Sequence, residues 1–429
     1  VEVQSLSRAA TVSFGHLRWQ ESVDHGLRAL ELAARDGISA SVFRWRAAIS
    51  LLHMGDLEAA SPHTLVLRER AEGRGKGRGK GRGNLRQSSG NSFVPITYLS
   101  CLEGDWKAGR EYSGLDLSPL SPHLLLLRVL LEHETGESAQ GEIYLERLLD
   151  TIRRAGPDRF LTSVFASMAM AIIARITGVS GRLEIADAAA KTVLSEQSVS
   201  PVAAMQAKAG LALLAVRDGN RSDAKEYYAY LLGQRGTMIY TVTSADRLLG
   251  LLSQTMGNMD QAGVHFEDAH AFCSKAGYRP QLAWTCCDYS DMLRQRDAEG
   301  DQSRVMTLLD ESLTISSELG MRPLMERVLD RKLELQGVAS VDIRTSIGAV
   351  ASAVTIERPD LRPHTAPDGT VTILFSDIEG STQMTERLGD QWMQQILRGH
   401  NDIVRHQVAA YGAFEVKSLG DGFMLAFSS

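Results

Sequence analysis

The chain has 429 residues, which exceeds the usual size of a single domain and predicts two or more domains. Hydrophobic residues at 44% and charged residues at 23% indicate a globular protein that can bury a core, and an aromatic content of 6% favours helix. The net charge of -6 gives no overall reason to expect nucleic acid or a membrane surface as a partner.

The chain shows no segment typical of export or membrane insertion. The first residues lack the apolar core of a signal peptide, and we expect no apolar run of the ~18 residues that a membrane span requires. Both points predict a cytoplasmic protein without a membrane partner. The chain begins with Val1 rather than Met, which indicates an excised or incomplete piece.

Cysteine spacing argues against a zinc site built on thiolates. The chain has no CxxC pair and no histidine cluster beside its cysteines, which are Cys101, Cys273, Cys286 and Cys287. We therefore expect buried, free thiols in a reducing cytoplasm.

Residues 1–337 have a helical pattern throughout, with apolar residues at i, i+3 and i+4. Within it a glycine is repeatedly followed, five positions later, by a small residue; these glycines are Gly55, Gly104, Gly136, Gly181, Gly219 and Gly257. In a helical hairpin the glycine can take the left-handed conformation that ends the first helix, and the small residue lets the second helix approach.

This pattern resembles the degenerate tetratricopeptide-like arrays of large bacterial signalling proteins. The resemblance implies an α-solenoid in which each repeat contacts mainly its neighbours and a concave face binds a protein partner, which the sequence does not identify. An unrelated helical bundle is the alternative.

One segment, residues 68–92, interrupts the helical pattern with GRGKGRGKGRG and almost no apolar side chain. It cannot form a core, and we expect it to be disordered. Alternating glycine and basic residues can follow a phosphate backbone, but the segment lacks aromatic residues that would stack on bases. This favours a flexible insertion between two repeat helices over a nucleic-acid-binding segment.

A junction is expected at residues 338–368. Apolar side chains on one face of residues 345–357 predict a short helix, which either passes signals or only packs on the next domain. Pro359, Pro363 and Pro367 then impose an extended stretch that helices do not cross. We place a domain boundary here.

The periodicity changes after Gly369. Residues 370–375, TVTILF, are apolar and β-branched; they predict a buried strand that leads into Asp377. A carboxylate in this position can bind Mg2+, and backbone N–H groups at the start of a following helix favour phosphate; these belong to Gly380, Ser381 and Thr382. A metal ligand and a phosphate site are therefore expected side by side.

A second carboxylate is expected after a helix that begins near Asp390 and ends at Gly412. This helix carries an apolar stripe that predicts core positions at Met393, Ile396, Leu397, Ile403, Val404 and Val408. Residues 414–417 and 423–427 then predict a hairpin with Asp421 at its tip. Two separated aspartates beside strands suit two-metal phosphoryl transfer, but ordinary turns with solvent-facing aspartates would give much the same sequence.

The motifs LFSDIEGST and EVKSLGDGFMLAF resemble the class III adenylyl/guanylyl cyclase family over residues 369–429. The resemblance implies a βααββ start to an α+β ferredoxin-like fold. It also implies that Asp377 and Asp421 bind two ions, Mg2+ or Mn2+, with the Ile378 carbonyl as a further ligand. The triphosphate would be surrounded by Glu379, Gly380, Ser381 and Thr382.

Lys417 stands where this family carries its base-selecting residue. The lysine is similar to that of the adenylyl cyclases, because its charged donor suits the N1 acceptor of adenine, whereas the Glu of guanylyl cyclases accepts from guanine. The resemblance therefore favours ATP. Ser381 replaces a Phe that many members have, a substitution that resembles a common bacterial variant.

The family resemblance also implies a homodimer, because its active sites form between two catalytic domains. The second adenine-selecting residue and the transition-state Asn and Arg would lie beyond Ser429, so we expect these 429 residues alone to be inactive. The parent protein is predicted to be a cytoplasmic adenylate cyclase that releases cyclic AMP and pyrophosphate under control of its repeats. An inert repeat scaffold with a cyclase remnant and a guanylyl cyclase are the alternatives.

Overall fold

The computed structural model describes residues 2–37, 41–76, 93–114, 121–153, 159–179, 181–335, 371–376, 378, 390–418 and 422–427. The chain separates into two compact units, Val1–Ala339 and Ser340–Ser429. Helices dominate the first unit, and a small sheet with a long helix forms the described part of the second. The expectation of a mostly helical chain with a small C-terminal sheet is confirmed. The predicted junction helix at 345–357 lies outside the described residues.

Consecutive helices of the first unit pack against each other. The first group contains α1 (Glu2–Gly15), α2 (Trp19–Arg35), α3 (Ser41–His53), α4 (Leu57–Lys76), α5 (Val94–Glu103), α6 (Trp106–Gly114), α7 (Pro122–Glu134), α8 (Ser138–Arg153) and α9 (Arg159–Thr177). The second group contains α10 (Leu183–Leu194), α11 (Pro201–Asp218), α12 (Arg221–Leu231), α13 (Ala245–Met256), α14 (Met259–Ala276), α15 (Arg279–Arg296), α16 (Asp301–Leu319) and α17 (Arg322–Leu335). Between α12 and α13 lie a 3-10 turn, Leu232–Gln234, and a short antiparallel pair, β1 (Met238–Ile239) and β2 (Thr243–Ser244).

The predicted glycine turns are confirmed at five of the six positions. Positive φ angles between 64° and 88° occur at Gly55, Gly104, Gly136, Gly219 and Gly257. The sixth, Gly181, differs, since the positive φ angles in that turn belong to Gly178 and Arg182. The small residues that follow are buried where they are alanines, namely Ala60, Ala186, Ala224 and Ala262. Close helix approach at these turns therefore has the predicted basis.

Helix α4 corrects part of the expected disorder at residues 68–92. The helix continues to Lys76, because residues 68–72, RERAE, have good helix propensity and follow the buried Leu67. Arg68 also forms an ion pair of 3.2 Å with Glu103 of α5. The glycine-rich remainder, residues 77–92, lies outside the described residues.

Contacts between helices far apart in sequence distinguish the first unit from a solenoid whose repeats touch only their neighbours. The Trp106 indole N–H donates to the Leu319 carbonyl at 2.7 Å, and the Tyr278 hydroxyl donates to the Leu52 carbonyl at 2.7 Å. Helix α17 also packs on α7 and α9. The large polar aromatic side chains reach across the unit and join its early helices to its late ones.

Helix α9 corrects the expectation that no apolar run is long enough to cross a membrane. Phe160–Thr177 meets that requirement by length and composition, and it is the only such helix in the described part of the chain. Of these residues, 78% are buried within the protein, as in the core helix of a globular unit. The helix packs against α7, α10 and α11. All four cysteines are buried and free, as predicted.

A buried ionic network joins α9, α13 and α15. Asp288 accepts hydrogen bonds from Arg175 and from Arg247, whose Nε lies 2.8 Å away. Burial alone would raise the pKa of Asp288, but the two guanidinium groups outweigh it and hold the pKa at about 2. Gln281 connects Arg247 to the Thr241 carbonyl in the β1–β2 turn. The network was not apparent from the sequence because its members lie on separate helices.

The described part of the second unit contains β3 (Thr372–Ser376), α18 (Asp390–Ala410), β4 (Phe414–Ser418) and β5 (Phe423–Phe427). The sheet has the order β3-β5-β4, and both pairings are antiparallel. The predicted strands and long helix are confirmed, whereas the segment between β3 and α18 lies outside the described residues.

Burial in this unit differs from the prediction at several apolar positions. Met393 of α18 and most of β5 are buried, but Ile403 is 67% exposed and Ile396 is 38% exposed. On β3, which the sequence predicted to be buried, Leu374 and Phe375 are exposed. The apolar pattern identified the correct elements, but the described sheet has only three strands and does not cover all of their apolar positions.

Candidate functional site

The candidate site lies at one end of the three-stranded sheet. Phe423, the first residue of β5, pairs in register with Ser376, the last residue of β3, and with Ser418, the last residue of β4. In sequence, Asp377 directly follows Ser376, and Asp421 precedes Phe423 by two positions. The described strand ends that flank the two aspartates therefore meet at the same edge of the sheet.

Most of the predicted site residues lie outside the described residues: Asp377, Asp421, Glu379, Gly380, Ser381 and Thr382. Ile378 is described and half-buried. The backbone of Lys417 is described on β4, where it pairs with Met424. The structure thus brings Lys417 and the chain on either side of both aspartates to one region, while the ligand geometry itself stays a prediction.

Ser376 carries an unpaired polar atom at this sheet edge. Its hydroxyl oxygen is buried and has no hydrogen-bond partner among the described residues. A buried hydroxyl without a partner is uncommon and costs on the order of 1–3 kcal/mol, so we expect a polar group beside Ser376. No sequence pattern selected Ser376, because a serine at a strand end is ordinary.

A β-bulge lies immediately before Lys417. Glu415 pairs with Leu425, but Lys417 pairs with Met424, so Val416 is the additional residue on β4. A bulge bends its strand and changes the direction of the following side chains. The register change therefore lies directly before Lys417, the residue proposed for base recognition. Nothing in the sequence predicted this bulge.

Helix α18 is attached to β4 beside this bulge. Arg405 donates from Nε and Nη2 to the two carboxylate oxygens of Glu415, at 3.0 and 3.1 Å. Its guanidinium also lies 5.4 Å from the ring centre of Phe423. A bidentate arginine–carboxylate pair fixes orientation better than a single contact. This pair and the Phe423 contact set the helix against the site end of the sheet.

A match to a known protein family covers this part of the chain. Residues 364–429 match the adenylate and guanylate cyclase catalytic domain family. An adenylate cyclase of Lachancea kluyveri is 44% identical over 70 residues, which cover 16% of this chain and 4% of that protein. A receptor-type adenylate cyclase B of Leishmania donovani is 44% identical over 62 residues, or 14% of this chain and 5% of that protein. The matched segments cover 3% to 8% of the length of such curated relatives.

Proposed function

We propose that the parent protein is a class III adenylate cyclase, which converts ATP to cyclic AMP and pyrophosphate, and that residues 369–429 supply the first part of its catalytic domain. The main structural support is that Phe423 pairs in register with both Ser376 and Ser418. The strand ends that flank the two aspartates in sequence therefore lie together. It is supported by the match of residues 364–429 to the cyclase catalytic domain family. The sheet order β3-β5-β4 is compatible with a ferredoxin-like fold.

The residue types that the sequence supplies next to these strand ends suit two divalent cations. Carboxylate and carbonyl oxygens are preferred by Mg2+ and Mn2+, and Asp377, Asp421 and the Ile378 carbonyl would supply them. The Ser376 hydroxyl, which has no hydrogen-bond partner among the described residues, provides further polar character at the same edge. When bound, the ions would polarise the α-phosphate and offset the charge of the triphosphate.

The chain's own residues would bind and orient the nucleotide. Backbone N–H groups of Gly380, Ser381 and Thr382 would donate to the phosphates, with Glu379 beside them. Lys417 would donate to N1 of adenine. The ribose 3′-hydroxyl would attack the α-phosphorus, breaking its bond to the pyrophosphate. The residues that complete this step are expected outside the 429 residues.

The first unit is proposed to regulate or dock the cyclase as a tetratricopeptide-like array in a cytoplasmic homodimer. Left-handed glycines followed by buried alanines support a repeat origin. The cyclases named above come from a yeast and from Leishmania, so a bacterial source stays a prediction. The partner of the array is a protein of unidentified class.

The proposal is tested on a chain extended through the whole catalytic domain. We expect cyclic AMP from ATP and a loss of about 100-fold or more in Asp377→Ala, since even partners of metal ligands typically contribute 10- to 100-fold. Lys417→Glu should shift the preference from ATP toward GTP. Asp402→Asn, at an exposed position of α18, is the matched control and should retain activity.

The outcomes separate the three candidate functions. No cyclic nucleotide from the extended chain, together with ATP binding that Asp377→Ala leaves unchanged, would support the inert scaffold. Faster turnover of GTP than of ATP by the unsubstituted chain would identify a guanylyl cyclase.

A further inference from the structure

A mixed histidine–carboxylate cluster lies in the helical unit, outside the candidate cyclase site. Asp246 is in the first turn of α13, and His265 and Asp268 lie about one turn apart on α14. One ligand atom from each residue falls within 4.8 Å of the other two. We propose that these residues form a site for a divalent transition-metal ion of the Zn2+ class.

Two buried atoms of the cluster face each other, and neither forms a hydrogen bond with any residue that the structure describes. Asp246 Oδ1 and His265 Nδ1 are 3.8 Å apart, and their side chains are 2% and 4% exposed. At that separation the atoms do not form a hydrogen bond with each other. Asp246 Oδ1 has only an ion pair with Arg235, and His265 Nδ1 has no polar contact within hydrogen-bond distance among the described residues. Buried atoms without hydrogen bonds are costly, and a cation bound by both would satisfy both.

The remaining atoms of these two residues are already held in place. Asp246 Oδ2 accepts from the backbone N–H of Gly236 at 2.6 Å, and His265 Nε2 lies 2.9 Å from the Tyr228 hydroxyl. Tyr228 in turn accepts from Gln261 at 2.8 Å. With its proton on Nε2, donated to Tyr228, His265 presents the Nδ1 lone pair to the cluster. Fixing the second ring nitrogen in this way is how proteins orient metal-binding histidines.

The Arg235 side chain lies beside the two carboxylates of the cluster. Arg235 donates to Asp268 Oδ2, and its Nε lies 3.5 Å from Asp246 Oδ1. The Arg235 side chain is 49% exposed and follows the 3-10 turn, so it can move into solvent. We infer that the guanidinium and a metal ion compete for the same two carboxylates.

The donor set selects the class of ion. One imidazole nitrogen with two carboxylates suits Zn2+, Mn2+ or Co2+, whereas Mg2+ and Ca2+ prefer oxygen ligands alone. Ligand bonds of about 2.0–2.1 Å place tetrahedral donors about 3.3 Å apart, so the 3.8 Å separation requires only a small side-chain adjustment. Asp268 is partly exposed and would leave a coordination position open to water.

A second cluster on neighbouring helices provides an internal control. His270, Cys286 and Glu311 also lie within 4.8 Å, but their atoms already bond to one another: His270 Nε2 is 2.9 Å and the Cys286 thiol 3.5 Å from Glu311 Oε2. Burial strongly raises the pKa of the Cys286 thiol, and proximity to Glu311 raises it further, which disfavours the thiolate that a metal requires. This cluster lacks the unpaired atoms of the first.

The test uses the 429-residue chain with Co2+ as the spectroscopic probe and Zn2+ in calorimetry. We expect one tight ion per chain and a cobalt spectrum without thiolate charge transfer. Asp246→Asn and His265→Gln should weaken binding at least 10- to 100-fold. His270→Gln and Cys286→Ser should leave binding unchanged.

Arg235→Gln keeps the test decisive if the buried variants fail to fold. It removes the competing cation at a half-exposed position, so the metal should bind more tightly and should raise the unfolding temperature more than in the unsubstituted chain. Absence of binding in both the unsubstituted chain and Arg235→Gln would overturn the proposal. A thiolate charge-transfer band that disappears in Cys286→Ser would overturn it too, because the ion would then occupy the second cluster.

Discussion

Glu134, at the end of α7, is a buried carboxyl group whose two oxygens accept from the Trp284 indole N–H, at 3.1 and 2.8 Å. Burial raises the pKa of Glu134 to about 7, although the Trp284 hydrogen bond and the charges of Arg247 and Arg327 partly oppose it. The side chain therefore keeps its proton in the folded protein over a pH range in which an unfolded chain would lose it.

This difference predicts that folding stability falls as pH rises. The native state binds more protons than the unfolded state between the ordinary pKa of 4.5 and about 7, so the contribution is complete below pH 4.5 and is lost above pH 7. Its full size is about 3 kcal/mol, from roughly 1.36 kcal/mol for each pKa unit. Urea unfolding from pH 4.5 to 7.5 should show the fall in the unsubstituted chain and a flatter profile in Glu134→Gln.

Glutamine keeps an acceptor for Trp284 but has no titrating group, so the difference between the two profiles isolates Glu134. Identical pH profiles would show that Glu134 has an ordinary pKa in the folded protein. No sequence feature pointed to this residue, because its partner Trp284 lies 150 positions away and a glutamate in a helical pattern normally faces solvent.

At the scale of an element, glycines at the helix ends are required for two separate reasons: a left-handed backbone conformation and close packing. Gly104 ends α5 with φ +82°, and an added Cβ would lie 2.7 Å from Leu319 Cδ1 of α16. Gly219 ends α11 with φ +64°, and an added Cβ would have no neighbour within 4 Å. Both require the left-handed conformation, but only Gly104 is also limited by packing.

Alanine substitutions should separate these two effects. Gly219→Ala should lower the free energy of unfolding by about 1–2 kcal/mol, the usual cost of a left-handed conformation in a residue with a Cβ. Gly104→Ala should lower it by about 1 kcal/mol more, because Leu319 must also shift. Denaturant unfolding of both variants provides the measurement. Equal losses would mean that the Gly104 turn is not limited by its contact with α16.

Local rules predicted the turns and strands but not the burial of side chains. Left-handed glycines and the strand at 423–427 follow from residue type and short-range periodicity, which the sequence displays directly. Exposure of Ile403 does not follow, because it depends on which other elements cover α18. The bulge at Val416 could not be predicted from the sequence either, because register depends on how two strands pair.

At the scale of the whole molecule, long-range contacts give the first unit a topology that a repeat pattern does not predict. His53 Nδ1 lies 2.7 Å from the Met238 carbonyl, across 185 positions, in addition to the Trp106 and Tyr278 bonds described above. In an array with only neighbour contacts, one end can unfold while the other remains folded. Here the early helices support the late ones, so we expect them to unfold together.

Hydrogen exchange during urea unfolding should show one transition shared by α1–α4 and α13–α17. The double variant Trp106→Phe, Tyr278→Phe lacks both long-range donors. Each lost bond should lower the free energy of unfolding by about 1–3 kcal/mol, because a carbonyl loses its partner. The loss should allow α1–α4 to exchange before α13–α17. Asn220→Ala is the control, because it removes only the local cap of α12, at about 1 kcal/mol, and should lower stability while one transition remains. Separate transitions in the unsubstituted chain would show that the repeats behave independently despite these contacts.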